Sequence, residues 1–416
     1  MMDAIRRIMG YLLYLPNITP LQWLFKSEVF PWAFLYSLRA DYKLPTGYKI
    51  FIFYLSLSAL WVFSGGSGWL IPARSFFALI NASLIFFLLL SIGKKEFDGL
   101  RKAFDIVFAV NMVVVVAQTL NVFPEFLVPW IRLVLDRFMS GAEGYGRGVG
   151  GLFAEPSYAS IAFHYYFAYF MLRKDINQKS ALGLLLTVGM TLFDIFFVRS
   201  ATGLVMISIY FISQQRWRDV WRGAIVVVLS AASILYISQR VVELPRSLDI
   251  AYRVVFEQEY QNLYDFVLLE SGHRAIGVLG AYNYGFSHPL GAGLGHWPNA
   301  SITAMESMGI DAAQIGYFEA FFDSTYDGVR PTSFAAGLML EGGWIGFLLF
   351  FWAFKEYIFS KKVFENTHTR PIAILFLFNT LLLGTIGDPI PFIFLAYAYK
   401  KVHQPNDEPE PLPDAV

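Results

Sequence analysis

The residues most able to do chemistry fall in two stretches of this sequence. The first reads Gly144-Tyr145-Gly146-Arg147-Gly148-Val149-Gly150-Gly151, then Leu152-Phe153-Ala154-Glu155-Pro156-Ser157. Proline suits the first position of a helix and drives the residue before it into an extended conformation. Glu155 therefore stands at the mouth of a helix. It could be a helix cap favoured by the positive dipole end, although glutamate is not a preferred cap. It could instead be a general base or acid. The glycines around Arg147 allow close backbone approach to a bulky ligand, and equally suit a loose connector. The second stretch holds Glu270-Ser271-Gly272-His273-Arg274, a helical pattern to Tyr284, then His288-Pro289-Leu290-Gly291-Ala292-Gly293-Leu294-Gly295-His296. Arg137 and Gly148 have ten residues between them, as do Arg274 and Gly285.

Arginine presents a planar fork of donors that grips phosphate oxygens two at a time and keeps its charge. Arg147 and Arg274, with Arg137 and Arg330 behind them, are thus candidates for holding a diphosphate; each could equally be a solvated charge, or for Arg274 a partner of Glu270. His288 could serve as a base or stabilise the turn before Pro289. A metal site is not expected, because His288 and His296 have no carboxylate at ligand spacing. The glycine run 291–295 is not a phosphate-binding loop, since it has neither the lysine nor the strand. Arg199-Ser200-Ala201-Thr202-Gly203 reads as a helix start. Glu341 lies inside an apolar segment, where a carboxylate must face protein or a wet cavity.

The elements that must carry these residues are membrane helices. Of 416 residues, 56% are apolar and only 15% charged, against about 25% charged in soluble domains. The net charge of zero gives no reason to expect nucleic acid as a partner. The absence of cysteine excludes thiol catalysis and disulfides. Apolar runs near 29–38, 50–64, 75–93, 103–123, 156–172, 180–197, 202–213, 222–237, 332–353, 371–386 and 389–399 suggest about eleven spans, several of them short. Residues 4–15 pattern as an amphipathic helix lying at the interface, with Arg6 and Arg7 opposite its apolar side. Lysine and arginine concentrate in alternate short loops, from Arg39 and Lys49 through Lys94 and Arg101 to Lys400 and Lys401, which places that side in the cytoplasm. Two long loops, 124–155 and 238–331, then face the other side. The expected organisation is one all-helical membrane domain, 1–402, followed by a disordered acidic tail, 403–416. No internal repeat is visible, which weakens an inverted-repeat transporter.

Taken in order, Arg147…Glu155-Pro156, Arg199-Ser200-Ala201-Thr202-Gly203, Arg274 with His288-Pro289-Leu290-Gly291-Ala292-Gly293, and Thr332-Ser333…Gly343-Trp344-Ile345-Gly346 resemble the bacterial O-antigen and exopolysaccharide polymerase and ligase superfamily. The resemblance covers roughly residues 29–390, and each motif alone is loose. In the ligase branch the last region begins with histidine; Thr332 stands there in this chain, which favours the polymerase branch. The resemblance implies a GT-C-like arrangement of spans around a cavity open to the periplasm and sideways to lipid, with the large loop folded over it as short helices. It implies location in the bacterial inner membrane and a metal-independent, cofactor-free glycosyltransferase that joins undecaprenyl-diphosphate-linked repeat units, donor to acceptor. A protein that regulates chain length is a possible partner. On this reading Arg147 and Arg274 stabilise the departing diphosphate, with Arg137 and Arg330 as weaker candidates, and Glu155 takes the acceptor's proton, with His288 as runner-up. The alternatives are ligation of finished glycan to a lipid A core, and a transporter or lipid flippase, for which Asp194 and Glu341 would be the intramembrane charges.

Overall fold

The computed structural model describes residues 8–19, 29–37, 43–64, 68–135, 138–141, 148–176, 180–214, 272–310 and 329–403, and among these it is all-helical. Apart from a short helical stretch at 8–12, the helices are α1 (Pro31–Ser37), α2 (Thr46–Ser64), α3 (Leu70–Ser91), α4 (Lys94–Thr119) and α5 (Val128–Arg132). They continue with α6 (Pro156–Arg173), α7 (Ala181–Phe193, extended by a π-helical turn Asp194–Val198) and α8 (Ala201–Gln214). After them come α9 (Gly272–Ser287), α10 (Trp297–Glu306), α11 (Phe334–Ile358), α12 (Lys361–Glu365), α13 (Arg370–Leu382) and α14 (Ile390–His403).

Among the described residues, four segments are long and apolar enough to cross a membrane: Thr46–Phe63, Leu70–Ser91, Ala181–Val198 and Phe334–Ile358. Sequence alone suggested about eleven. The other apolar runs do form helices where they are described, but shorter or more polar ones; the run 222–237 lies outside the described residues. Large apolar side chains face outward on these spans, among them Phe53 and Leu60 on α2 and Leu184 and Leu185 on α7. A water-soluble monomer rarely exposes so much contiguous apolar surface, so these faces suit lipid.

α11 is the hub, packed by α2, α9, α10 and α13, while α14 joins α3, α6 and α13. Aromatic rings fill the space around α14. Phe394 meets Phe104, Tyr165, Tyr166 and Tyr169 edge-on, tilted or stacked. A buried phenol usually finds an acceptor, although the Tyr165 hydroxyl has none among the described residues. Tyr166 donates to the Tyr14 carbonyl at 2.5 Å, and Tyr14 is hydrogen-bonded to Tyr397.

α11 is broken at Gly343, whose φ of 63° and ψ of −173° lie outside helical space and favour glycine. The break leaves carbonyls without intrahelical donors, and the glycine run after α9 supplies the missing ones. Ala292 and Gly293 amides donate to the Leu340 and Glu341 carbonyls at 2.9 Å each, and Ile345 N–H donates to the Pro289 carbonyl at 3.3 Å. Residues 289–293 thus plug the interrupted helix. A Cβ at Gly291 would collide with the Glu341 and Gly343 backbone. The sequence pattern Gly291-x-Gly293-x-Gly295 is a packing device.

Candidate active site

Glu155 occupies the N-cap position of α6 with extended backbone (φ −148°, ψ 153°), as the following proline requires, yet its side chain caps nothing. Its carboxylate instead accepts a 2.7 Å hydrogen bond from the Arg274 Nη2 of α9. Arg274 Nη1 also donates to Ser157 Oγ at 3.4 Å. The pair is half-open, the arginine side chain 41% and the glutamate 22% exposed. Such a pair contributes little to stability, roughly 0–1 kcal/mol. Its solvent-reachable guanidinium is free to meet an anion.

Several polar side chains fasten the segment that leads into Glu155. Gln118 and Asn111, both fully buried on one face of α4, accept from the Gly151 amide at 2.9 Å and the Leu152 amide at 3.0 Å. Asn17 Oδ1 accepts from the Ala154 amide at 3.3 Å. Gly151 adopts φ +60°, and a Cβ at Gly148 would collide with the Val198 carbonyl. From Gly148 onward the glycines are therefore tightly packed rather than a loose connector.

That collision point brings a further arginine into view. Arg199 follows the π-helical turn with a left-handed backbone, φ 53° and ψ 44°, unusual for a non-glycine residue. Its amide donates to the Asp194 carbonyl at 2.6 Å and its Nε to the Phe196 carbonyl at 3.1 Å. Its terminal nitrogens engage no described residue. Asp194 is fully buried and accepts from Ser160 Oγ at 2.6 Å. Ser160 lies one turn inward from Ser157 on α6, and Arg199 lies one turn outward from Asp194. Arg199 therefore directly follows the turn whose Asp194 reaches Ser160, three residues from Ser157 on α6. π-bulges concentrate at functional sites because they re-aim the residues beside them. A Cβ at Gly203 would collide with the Asp194 carboxylate, so the glycine that closes the Arg199–Gly203 segment makes room for a buried acid.

The remaining candidates lie elsewhere. Arg330 is 5% exposed and ion-paired at 2.9 Å with Glu341, which is itself completely buried. Ser75 Oγ and the Gly295 amide add donors to the same carboxylate at 2.9 and 3.1 Å, and Trp297 covers the guanidinium. Glu341 thus faces protein. Arg330 is already matched by a buried carboxylate. His288 ends α9 with Nδ1 2.9 Å from the Tyr284 carbonyl and its ring stacked on Tyr284. Fourteen residues of helix separate it from Arg274, about 21 Å at 1.5 Å per residue. His288 is therefore placed as a turn stabiliser, remote from Glu155. Arg137 and Arg147 lie outside the described residues; Gly148, next to Arg147, touches Arg199. No group of three metal-ligating side chains occurs among the described residues.

Sequence reasoning read Arg199 only as part of a helix start and a family motif, and passed over Asn111 and Gln118. Two amides seven residues apart inside an apolar helix mark one polar stripe, and that signal could have found the α4 pair. Nothing local in the sequence announces the left-handed turn at Arg199.

Comparison with protein-family models, curated proteins and solved structures returns no match to this chain. The functional reading therefore rests on the residues and their geometry.

Proposed function

We propose that this chain is a membrane glycosyltransferase that polymerises lipid-diphosphate-linked oligosaccharide repeat units. In this reading about eleven spans cross the bacterial inner membrane, and loops 124–155 and 238–331 face the periplasm. The observation that carries it is the meeting of Arg274 with Glu155 and Ser157 at the mouth of α6, from segments more than a hundred residues apart. Guanidinium groups fixed beforehand around one point stabilise a diphosphate as its bond to the sugar breaks and negative charge develops on it. The half-open pair matches that duty, because an arriving diphosphate can take over the arginine from Glu155.

Arg199 and Arg274 grip the diphosphate, and Arg147, one residue from the glycine that touches Arg199, adds a third cation. Glu155 spends its carboxylate on Arg274, which favours a positioning duty for it over that of proton acceptor. Undecaprenyl diphosphate is the carrier on this reading, and its embedded chain accounts for a transferase built into lipid. The departing dianion or trianion is neutralised by arginine without a metal ion.

The test is purified protein in detergent, supplied with the lipid-linked oligosaccharide pool extracted from cells that lack this chain. A ladder of longer glycans is the expected product. Unchanged chain length would overturn the proposal. Transfer only when a lipid A core acceptor is added would make the protein a ligase instead.

A further inference from the structure

A cleft opens on the other flank of α6, bounded by Pro16, Asn17, Phe153, Tyr158, Thr385 and Asp388. Its free space is about 10 Å3, room for no more than a single water-sized group. Tyr158 is in the first turn of α6 and Phe153 two residues before Glu155, so the rim of the cleft lies within a turn of the Glu155–Arg274 pair. On α6, Ser157 and Ser160 turn towards Arg274 and Asp194, while Tyr158 and Ala162 turn towards the cleft, roughly 100° or more around the helix. The N-terminus of α6 thus divides the arginine side from the cleft side.

Asp388 sits in the turn between α13 and α14. One carboxylate oxygen accepts from the Ile390 amide at 2.9 Å and so caps α14. No arginine or lysine pairs with it among the described residues, and burial raises its carboxyl from the usual range to about 7. Asn17, on the opposite wall, is pinned by the Ala154 amide, so the amide side chain and the chain entering Glu155 are held in register. A carboxylate, an amide and aromatic rings around a space the size of one hydroxyl are the groups that recognise a sugar hydroxyl.

We propose that this cleft is the acceptor subsite of the transferase, receiving one hydroxyl of the incoming glycan, with Asp388 as the group that accepts its proton. This rests on the polymerase reading and extends it to the second substrate. The acceptor oxygen forms a bond to the anomeric carbon of the donor sugar. The bond from that carbon to the diphosphate oxygen breaks, and the diphosphate leaves with the electron pair. The acceptor's hydroxyl proton goes to the Asp388 carboxylate. The reacting atoms must come within about 3–3.5 Å of each other, so the donor sugar reaches over the open N-terminal end of α6, from the arginine side to the acceptor hydroxyl in the cleft.

Asp388→Asn is the decisive variant, because asparagine still caps α14 but no longer accepts the proton. Chain growth from the extracted lipid-linked pool should fall about 10²- to 10⁴-fold, while retention of undecaprenyl diphosphate by the purified protein stays at the wild-type level. Arg274→Ala should lose that retention. Wild-type ladders from Asp388→Asn would overturn the proposal. Thr385→Leu, which narrows the cleft from its rim, provides a second route if Asp388→Asn does not fold; it should raise the acceptor concentration needed for growth, and an unchanged requirement would count against the subsite. Saturation-transfer NMR with glycan released from the lipid pool reads the subsite without turnover. Contacts present in wild type and lost in Thr385→Leu support it even if no ladder forms, in which case the polymerase reading alone fails. Contacts equal in wild type and Thr385→Leu would refute the subsite.

Discussion

Removing Arg330 should unfold this protein rather than merely disable it. The Glu341 carboxylate is fully buried at the broken turn of α11, and both of its oxygens accept from Arg330 Nη2, at 2.9 and 3.2 Å. Arg330→Met leaves that carboxylate with Ser75 Oγ and the Gly295 amide as its donors among the described residues. Deleting one partner of a buried pair costs about 3–5 kcal/mol, because the remaining charge keeps its desolvation penalty and loses its counter-charge. The same carboxylate ties the glycine plug to α3 and α11, so the loss should spread to the packing of residues 289–295. Thermal unfolding in detergent would read the effect as a markedly lower midpoint. The double variant Arg330→Met with Glu341→Leu should recover most of the loss, since replacing a buried ion pair by apolar groups of similar volume is often neutral or stabilising. A single variant with wild-type stability and no chain growth would refute this reasoning and return Arg330 to the diphosphate.

The partly exposed pair behaves differently. Arg274→Ala should abolish chain growth while moving stability by no more than about 1 kcal/mol; a ladder of wild-type length would remove the diphosphate clamp. Arg199→Gln should weaken retention of undecaprenyl diphosphate, and unchanged retention would make the left-handed turn a structural feature only. Gly203→Val should destabilise the α7–α8 corner by crowding the Asp194 carboxylate, measurable as a lower unfolding midpoint. Asp388 carries a pH signature. Its folded carboxyl titrates at about 7, above its unfolded range, so the folded protein holds an extra proton between about pH 4 and 7. Its stabilising contribution is full below that window and is lost as pH rises through 7. Chain growth has the opposite slope, rising as the carboxylate form appears, with Tyr158, Tyr165 and Tyr166 the other titratable groups facing it. Asp388→Asn should flatten the stability profile; an unaltered profile would assign the titration elsewhere.

What could be read from the sequence follows from how local each cause is. Pro156 sets the backbone of its neighbour, so the extended Glu155 at a helix mouth was legible from two residues. The apolar runs announced helices, and the burial of Glu341 against protein followed from the cost of a carboxylate in lipid. Spans could not be counted by the same reasoning. Several runs are shorter than a bilayer requires, and helices such as α4 mix lysines, acids and amides with their apolar residues. The candidate site was legible as a set of residue types and much less as a set of partners. Arg274 and Arg330 look alike in sequence, each an arginine two positions after a glycine in the long second loop. What separates them is Glu341, eleven residues beyond Arg330, where a turn of α11 brings it back under the guanidinium. Arg274 meets its carboxylate only because α9 and α6 converge, and no spacing in the chain encodes that meeting. The two arginines thus divide by the depth of their acids. A buried acid claims its arginine for the fold, whereas one at a half-open helix mouth leaves the cation available to a charged substrate.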